Sequence, residues 1–242
     1  MELDLLESTS TNKNNCPGVF SFDGTHTRSS LKKYKGKHRK FYKNNTISYT
    51  LNSKGYRCPE FNDVDWKNSI VIFGCSQTYG VGVDDTETYS HFLSKKLDIP
   101  VVNLGMGGTS IWYHVYNLKK IAPLGPKHTI LQIPDPSRFT IFGCDKKTDN
   151  IGIWSELLHK HFFKIYNNNQ INSKIYLEFA IDYMNKLLPN GLTYTFSLES
   201  HNSITVLDVA RDSAHIGPET HENIADVIIS ERFLNKIHKE IS

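Results

Sequence analysis

In "SIVIFGCSQTYGVG", residues 69–82, an apolar run stops at Gly74 and Ser76 follows two positions later. A serine hydroxyl becomes a nucleophile only where a base takes its proton; the base is most often His, and a carboxylate usually orients it. Far downstream, "RDSAHIGPETHENIAD" supplies such a pair, Asp212 and His215, just ahead of the last helical stretch. In a tight loop this three-residue spacing aims both side chains the same way. Asp212 then bonds one ring nitrogen of His215 and leaves the other for Ser76. The competing reading makes Ser76 a turn residue and Asp212 a helix cap beside a surface His. "VVNLGMGGTS" adds backbone donors, because glycines after a strand let N–H groups approach a ligand and stabilise an oxyanion. Its spacing is G-x-G-G, without the strand-borne acid a dinucleotide loop requires, so the alternative here is a plain strand-to-helix turn.

Other reactive side chains point to less. Cys75 has the setting of a buried, inert strand-end thiol. His159 and His161 stand two apart, which turns them to different faces of a helix. Cys16, Cys58, Cys75 and Cys144 are scattered with no C-x-x-C, a pattern of reduced thiols rather than of a disulfide frame or zinc site. No metal or cofactor is expected. Trp112, Tyr113 and Tyr116 after the glycines suit a pocket wall or, more commonly, core. His221 and Glu222 read as solvent-facing or capping residues of the final helix.

These residues need a scaffold. "SIVIFG", "VVNLG", "TILQI" and "LTYTFSL" have strand character, and "ITVLDV" is a candidate fifth strand. Between and after them, "ETYSHFLSKKL", "SIWYHVYNLKKI", "WSELLHKHFFKIY", "SKIYLEFAIDYMNKLL" and "ETHENIADVIISERFLNKIHKEI" have helical spacing. Short apolar strands alternating with helices predict an α/β fold, with a mostly parallel sheet of about five strands covered on both faces. Ligands of such sheets sit beyond the carboxyl ends of the strands. Ser76, the glycines at 105–108 and Asp135 fall at three such ends.

The chain of 242 residues, 38% hydrophobic and 22% charged, suits one large soluble domain over 46–242, preceded by a polar, basic arm over 1–45. "NTISYTL" reads as a short strand at the junction. The opening "MELDLLESTSTNKNN" has neither a basic nor an apolar region of a secretory signal, and no run reaches the length of a membrane span, so a cytoplasmic protein is expected. The net charge of +3 is uneven: Arg28–Lys43 holds eight Lys or Arg and no acid, leaving the remainder at −5. A solvated arm is favoured over contact with nucleic acid or another polyanion.

Taken in order, "FGCSQTYGVGV", "NLGMGGTS" and "DSAHIGPETHENIAD" resemble the blocks of the SGNH/GDSL hydrolase superfamily, over roughly residues 46 to 240. The resemblance implies a flavodoxin-like three-layer α/β/α sandwich. It also implies cofactor-free hydrolysis of a small-molecule or glycan ester through an acyl-enzyme. It assigns Ser76 as nucleophile, Asp212 and His215 as acid and base, and Gly108 as the oxyanion glycine, with Gly107 or Gly105 under a shifted alignment. Two departures stand out. The first block is G-C-S in place of G-D-S, and the third block, G-x-N-D, is replaced by "PDPSRF". Asp135 thus stands where an amide donor is expected, and a carboxylate has no proton to donate. Losing one such donor costs about 10²- to 10³-fold in rate. Gln132 or Arg138 is then the candidate substitute. The same departures leave open an O-acyltransferase, or a catalytically degraded binding protein for a glycan or polyanion.

Overall fold

The structure, a computed structural model, describes residues 3, 5–6, 18–22, 47–142, 148–152, 170–212 and 214–234. The basic run Arg28–Lys43, the expected helix at 154–166 and the His159/His161 pair lie outside the described residues.

Four strands form the central sheet: β3 (Ile70–Phe73), β4 (Val101–Asn103), β5 (His128–Gln132) and β8 (Tyr194–Phe196). All pairings are parallel, in the order β4-β3-β5-β8. By order of appearance this is 2-1-3-4, a flavodoxin-like sequence in which the winding direction reverses at β3. Parallel neighbours need long crossovers. These are supplied by α1 (Ser76–Tyr79) with α2 (Tyr89–Leu97), by α3 (Ile111–Ile121), and by a stretch that includes α4 (Gln170–Leu187). After β8 the chain closes with α5 (Pro218–Ile228) and one π turn over Ile229–Leu234.

The alternation of β3 builds two cores. Val71 and Phe73 point to one face, where Val102, Leu104 and Leu131 join Val115, Leu118 and Ile121 of α3 and Ala180 and Met184 of α4. Ile70 and Ile72 point to the other face, against Ile130 and Phe196, Tyr89 and Leu93 of α2, and Ile224 and Ile228 of α5. Every side chain of β3 is buried. A strand buried on both faces must be apolar throughout, which is why "IVIF" shows no polar alternation. The result is a three-layer α/β/α sandwich.

The sheet has four strands among the described residues, rather than about five. "ITVLDV" joins no ladder; only Val209 bridges, to Ile216. The amides of Leu207 and Asp208 donate instead to Thr220 Oγ1 (2.9 and 3.1 Å), and that of Thr205 to Asn223 Oδ1 (3.1 Å). Polar side chains of α5 thus satisfy the backbone that a neighbouring strand would have satisfied. Asp208 repays the contact by accepting from the Glu219 and Thr220 amides (3.1 and 2.9 Å) in the first turn of α5.

Two pieces of the lead-in are tied down. β1 (Gly18–Phe22) pairs antiparallel with β2 (Ile47–Leu51), apart from the main sheet. Leu5 and Leu6 are buried in the α3–α4 core. The Leu6 amide donates to Asn117 Oδ1 (3.0 Å), and its carbonyl accepts from the hydroxyls of Tyr56 (2.7 Å) and Tyr113 (2.9 Å). Two further strands, β6 (Phe139–Phe142) and β7 (Thr148–Ile151), form a separate hairpin after β5. None of the helices among the described residues is long and apolar enough to cross a membrane.

Leu6→Ala is expected to cost about 2–5 kcal/mol, as for other buried Leu truncations. Equilibrium denaturation measures this; an unchanged midpoint would mean that residues 5–6 do not belong to the core.

Candidate active site

Ser76 opens α1, directly beyond the carboxyl end of β3, at the point where the strand order reverses. The chain leaves the strand through Gly74 and Cys75, and Gln132 at the end of β5 makes that departure possible. Gln132 Oε1 accepts from the Cys75 amide (3.1 Å), the Cys75 thiol (3.2 Å) and the Thr78 hydroxyl (3.1 Å). Cys75 is therefore a buried structural donor. The first turn ends at Gly80, whose amide returns to Ser76 O (3.0 Å), and Ser76 itself is half-buried at the surface.

Asp212 and His215 form the pair that their spacing suggests. Asp212 Oδ1 accepts from the amides of Ala214 and His215 (both 3.0 Å), which folds the loop back on itself. That fold delivers the His215 ring to Asp212 Oδ2, where Nδ1 forms a very short hydrogen bond. A carboxylate only accepts, so Nδ1 carries the proton and Nε2 is left as the basic nitrogen. Burial opposes the Asp212 charge. The hydrogen bond and charge of His215, with the two amides, outweigh burial and hold the carboxyl below its usual range.

The loop is fastened to the helix that Ser76 begins. Gln77, next to Ser76, accepts from the Ile216 amide through Oε1 (3.1 Å), and the Ala210 amide closes the loop on His215 O (2.7 Å). Residues 76 and 215, from opposite halves of the chain, thus stand on adjoining turns. Among the described residues, Ser76 and His215 are not hydrogen-bonded to each other.

The glycine turn after β4 completes the rim. A Cβ on Gly107 would lie 3.9 Å from Ser76 Cβ. The Gly105 amide is committed to Asn103 Oδ1 (2.9 Å) and that of Met106 to Gly74 O (2.8 Å). This removes Gly105 as an oxyanion donor and leaves Gly107 and Gly108 as the turn's candidates. Gly108 has φ +74°, a left-handed conformation that side chains with a Cβ resist. Thr109 locks the turn: its hydroxyl donates to Met106 O (2.7 Å) and so accepts from His114 Nε2 (3.0 Å). His114 is wholly buried, and burial together with the nearby Arg138 charge lowers its pKa to about 3, so it remains neutral.

Gln132 and Asp135 have partners of their own. Gln132 spends its oxygen on the turn that leads into Ser76 and directs Nε2 at Ile133 O (2.7 Å), so it acts as a strut. Asp135 starts a turn, accepting from the Ser137 amide (2.8 Å) through Oδ1 and from the Arg138 amide (3.0 Å) through its carbonyl. That turn leads into the β6–β7 hairpin, whose Thr140 hydroxyl meets Ser110 Oγ (2.7 Å) at the start of α3. Arg138 lies near His114. Of the aromatics, Tyr113 is core, while Trp112 and Tyr116 are half-buried and Tyr116 packs near Phe142 (5.9 Å between ring centres). His221 is fully buried rather than solvent-facing: Nδ1 accepts from the Tyr89 amide (3.2 Å) and the ring stacks on Tyr89. No group of three His, Cys, Asp or Glu among the described residues is arranged to hold a metal.

Sequence reasoning missed the supporting residues Gln77, Thr78, Thr109 and His114. Each lies within or just after a block that drew attention, yet its role depends on a partner far along the chain or in the next turn.

No family model and no curated protein matches the chain. Solved structures similar to it include the psychrotrophic esterase EstA from Pseudoalteromonas sp., at 13% identity and TM-score 0.39, covering 69% of this chain and 99% of that one. Another is a family 3 carbohydrate esterase from Clostridium thermocellum, at 14% identity and TM-score 0.37, covering 72% and 98%. Likeness at this level leaves the functional reading to the geometry of the site.

Two outcomes are expected. Gln132→Leu removes the acceptor of three donors and should destabilise by about 1–3 kcal/mol, as in buried polar groups stripped of a partner; thermal or denaturant unfolding reads it. Asp212 has a depressed folded-state pKa, so its contribution to stability is complete above the ordinary carboxylate value and is lost as pH falls through the depressed one. Asp212→Asn should flatten stability against pH over that acid window. An unchanged acid limb would mean the carboxyl is not ionised beside His215.

Proposed function

We propose that the protein is a serine ester hydrolase that works through an acyl-enzyme. His215 Nε2 takes the Ser76 proton as Oγ attacks the ester carbonyl carbon. The carbonyl oxygen becomes an oxyanion facing two amides, that of Ser76 and that of Gly108, with Gly107 the alternative to Gly108. Collapse of the tetrahedral intermediate breaks the ester C–O bond, and the alkoxide leaves with the proton from His215. Water then attacks the acyl-serine carbonyl, gives a proton to His215, and releases the free acid as Ser76 recovers its hydrogen. Asp212 holds the ring in the required tautomer throughout. The observation that carries this reading is the Asp212–His215 pair, fastened by Ile216 to the helix that Ser76 begins.

The substrate class is a small-molecule or glycan ester. The half-buried Trp112 and Tyr116 beside the glycine turn suit either an acyl group or a sugar face. One observation favours a second reading, a binding protein that has lost efficient turnover. Asp135 is committed to its own turn, so "PDPSRF" offers no side-chain amide where a third oxyanion donor is expected. With two backbone donors, turnover about 10²- to 10³-fold below that of a three-donor site is anticipated.

Hydrolysis of p-nitrophenyl acetate by wild type, Ser76→Ala and Asp212→Asn tests the assignment. Ser76→Ala should reduce kcat to the background of the assay, and Asp212→Asn should lower it by about 10³- to 10⁴-fold. A fluorophosphonate probe should label wild type at Ser76 alone. Equal rates in wild type and Ser76→Ala would sink the esterase reading in favour of the binding protein. Free acid against acylated acceptor among the products, in the presence of a sugar alcohol, separates hydrolysis from acyl transfer.

A further inference from the structure

A buried cation braces the far end of the helix that Ser76 begins. Arg57 comes from the loop "GYRCP" after β2, and its side chain is 2% exposed. Nε and Nη2 both reach Asp85 Oδ1 (2.9 and 2.5 Å). Nη1 donates to the carbonyls of Tyr79 (3.1 Å), Gly80 (2.6 Å) and Val83 (3.3 Å), and Nη2 also reaches Val83 O (3.3 Å). The first two carbonyls are those at which α1, the helix begun by Ser76, comes to its end. The guanidinium lies over the Tyr49 ring, 4.2 Å from its centre, and Tyr79 meets Tyr49 edge-on. Asp85 closes the set by accepting from the Thr50 amide through Oδ2 (2.8 Å).

The segment gripped in this way, residues 79–85, is also the wall against which the acid–base loop rests. The Gly82 amide donates to the Tyr49 hydroxyl oxygen (2.5 Å), and the Gly82 carbonyl accepts from the Arg211 amide (3.2 Å), next to Asp212. Gly82 has φ +84°, and a Cβ there would lie 2.8 Å from Ala210 Cβ and 3.4 Å from the amides of Arg211 and Asp212. The two backbones are therefore in direct contact. Burial raises the Tyr49 phenol pKa, which keeps the hydroxyl neutral beside Arg57.

We propose that Arg57, with Tyr49 as its partner, is a positioning residue that sets the Asp212–His215 loop relative to the Ser76 helix. A planar fork can hold several carbonyls and a carboxylate at fixed angles, which a lysine ammonium cannot. The β1–β2 hairpin, which stands outside the central sheet, thereby becomes part of the catalytic geometry through Tyr49 and Thr50. The catalytic meaning of this clamp rests on the esterase reading above, whereas its mechanical content does not.

The test uses the full chain and two variants, Arg57→Lys and Tyr49→Phe; the second removes one oxygen and nothing else. Hydrogen exchange read by mass spectrometry should show the peptide covering 208–217 exchanging about 10-fold faster in both variants, while peptides of β3 and β5 keep wild-type protection. With p-nitrophenyl acetate, kcat should fall about 10- to 100-fold with KM within about twofold, the signature of misplaced catalytic groups rather than of lost binding. Should Arg57→Lys fail to fold, Tyr49→Phe decides alone. Unchanged exchange over 208–217 in the folded variants overturns the proposal, whatever their melting temperatures. If the wild type hydrolyses no ester but 208–217 loosens as described, the clamp stands and the esterase reading falls.

Discussion

A strand buried on both faces cannot simply stop, because the first amide beyond its ladder needs a partner where no water reaches. Gln132 Oε1 meets this need for β3. It takes the Cys75 amide together with the Cys75 thiol and the Thr78 hydroxyl. Gln132 is the last residue of β5, so the turn that carries Ser76 is registered to the neighbouring strand rather than left to loop chemistry. Thr78 passes the constraint on, accepting from the Tyr89 hydroxyl (2.9 Å), and Tyr89 in turn donates its amide to buried His221. One carbonyl oxygen thus connects the turn that carries Ser76 to both α2 and α5.

The second half of the site follows a related rule. Residues 204–209 have the composition of a strand, but the chain gives up a ladder there and satisfies its amides on Thr220 and Asn223. The loop that follows is then free to curl. Asp212 organises the curl with one oxygen and orients His215 with the other. A continuous fifth strand would have kept successive side chains on opposite faces. Asp212 and His215, three residues apart, could not then have shared one direction.

The glycine turn proposed to face an oxyanion is fixed by contacts of its own residues and its neighbours. Gly105 and Met106 commit their amides to the fold, Thr109 and His114 lock the turn, and Ser110 is pinned to the hairpin by Thr140. Such preorganisation costs no rearrangement when charge develops. Asp135, for its part, serves the turn into the hairpin. Burial, with the Arg138 charge nearby as the smaller cause, keeps the His114 ring neutral.

Local patterns in the chain were enough for the alternation of strands and helices, the apolar β3 and the glycine turn, and they allowed the pairing of Asp212 with His215 without requiring it. Each depends on neighbours within a few residues, through side-chain period, backbone freedom or a three-residue reach. The number of strands was not legible, because "ITVLDV" has strand composition and only the approach of α5 decides where its amides go. Nor was the role of Arg57, an ordinary loop arginine until residues 79–85 fold around it, or of Gln132, whose letter suggested a donor and whose place made it an acceptor. His221 looked like a surface residue because its burial depends on α2, more than a hundred positions away in the chain. Hydrogen-bond direction and burial at long sequence separation are properties of the packed layers, so tertiary structure alone could settle them.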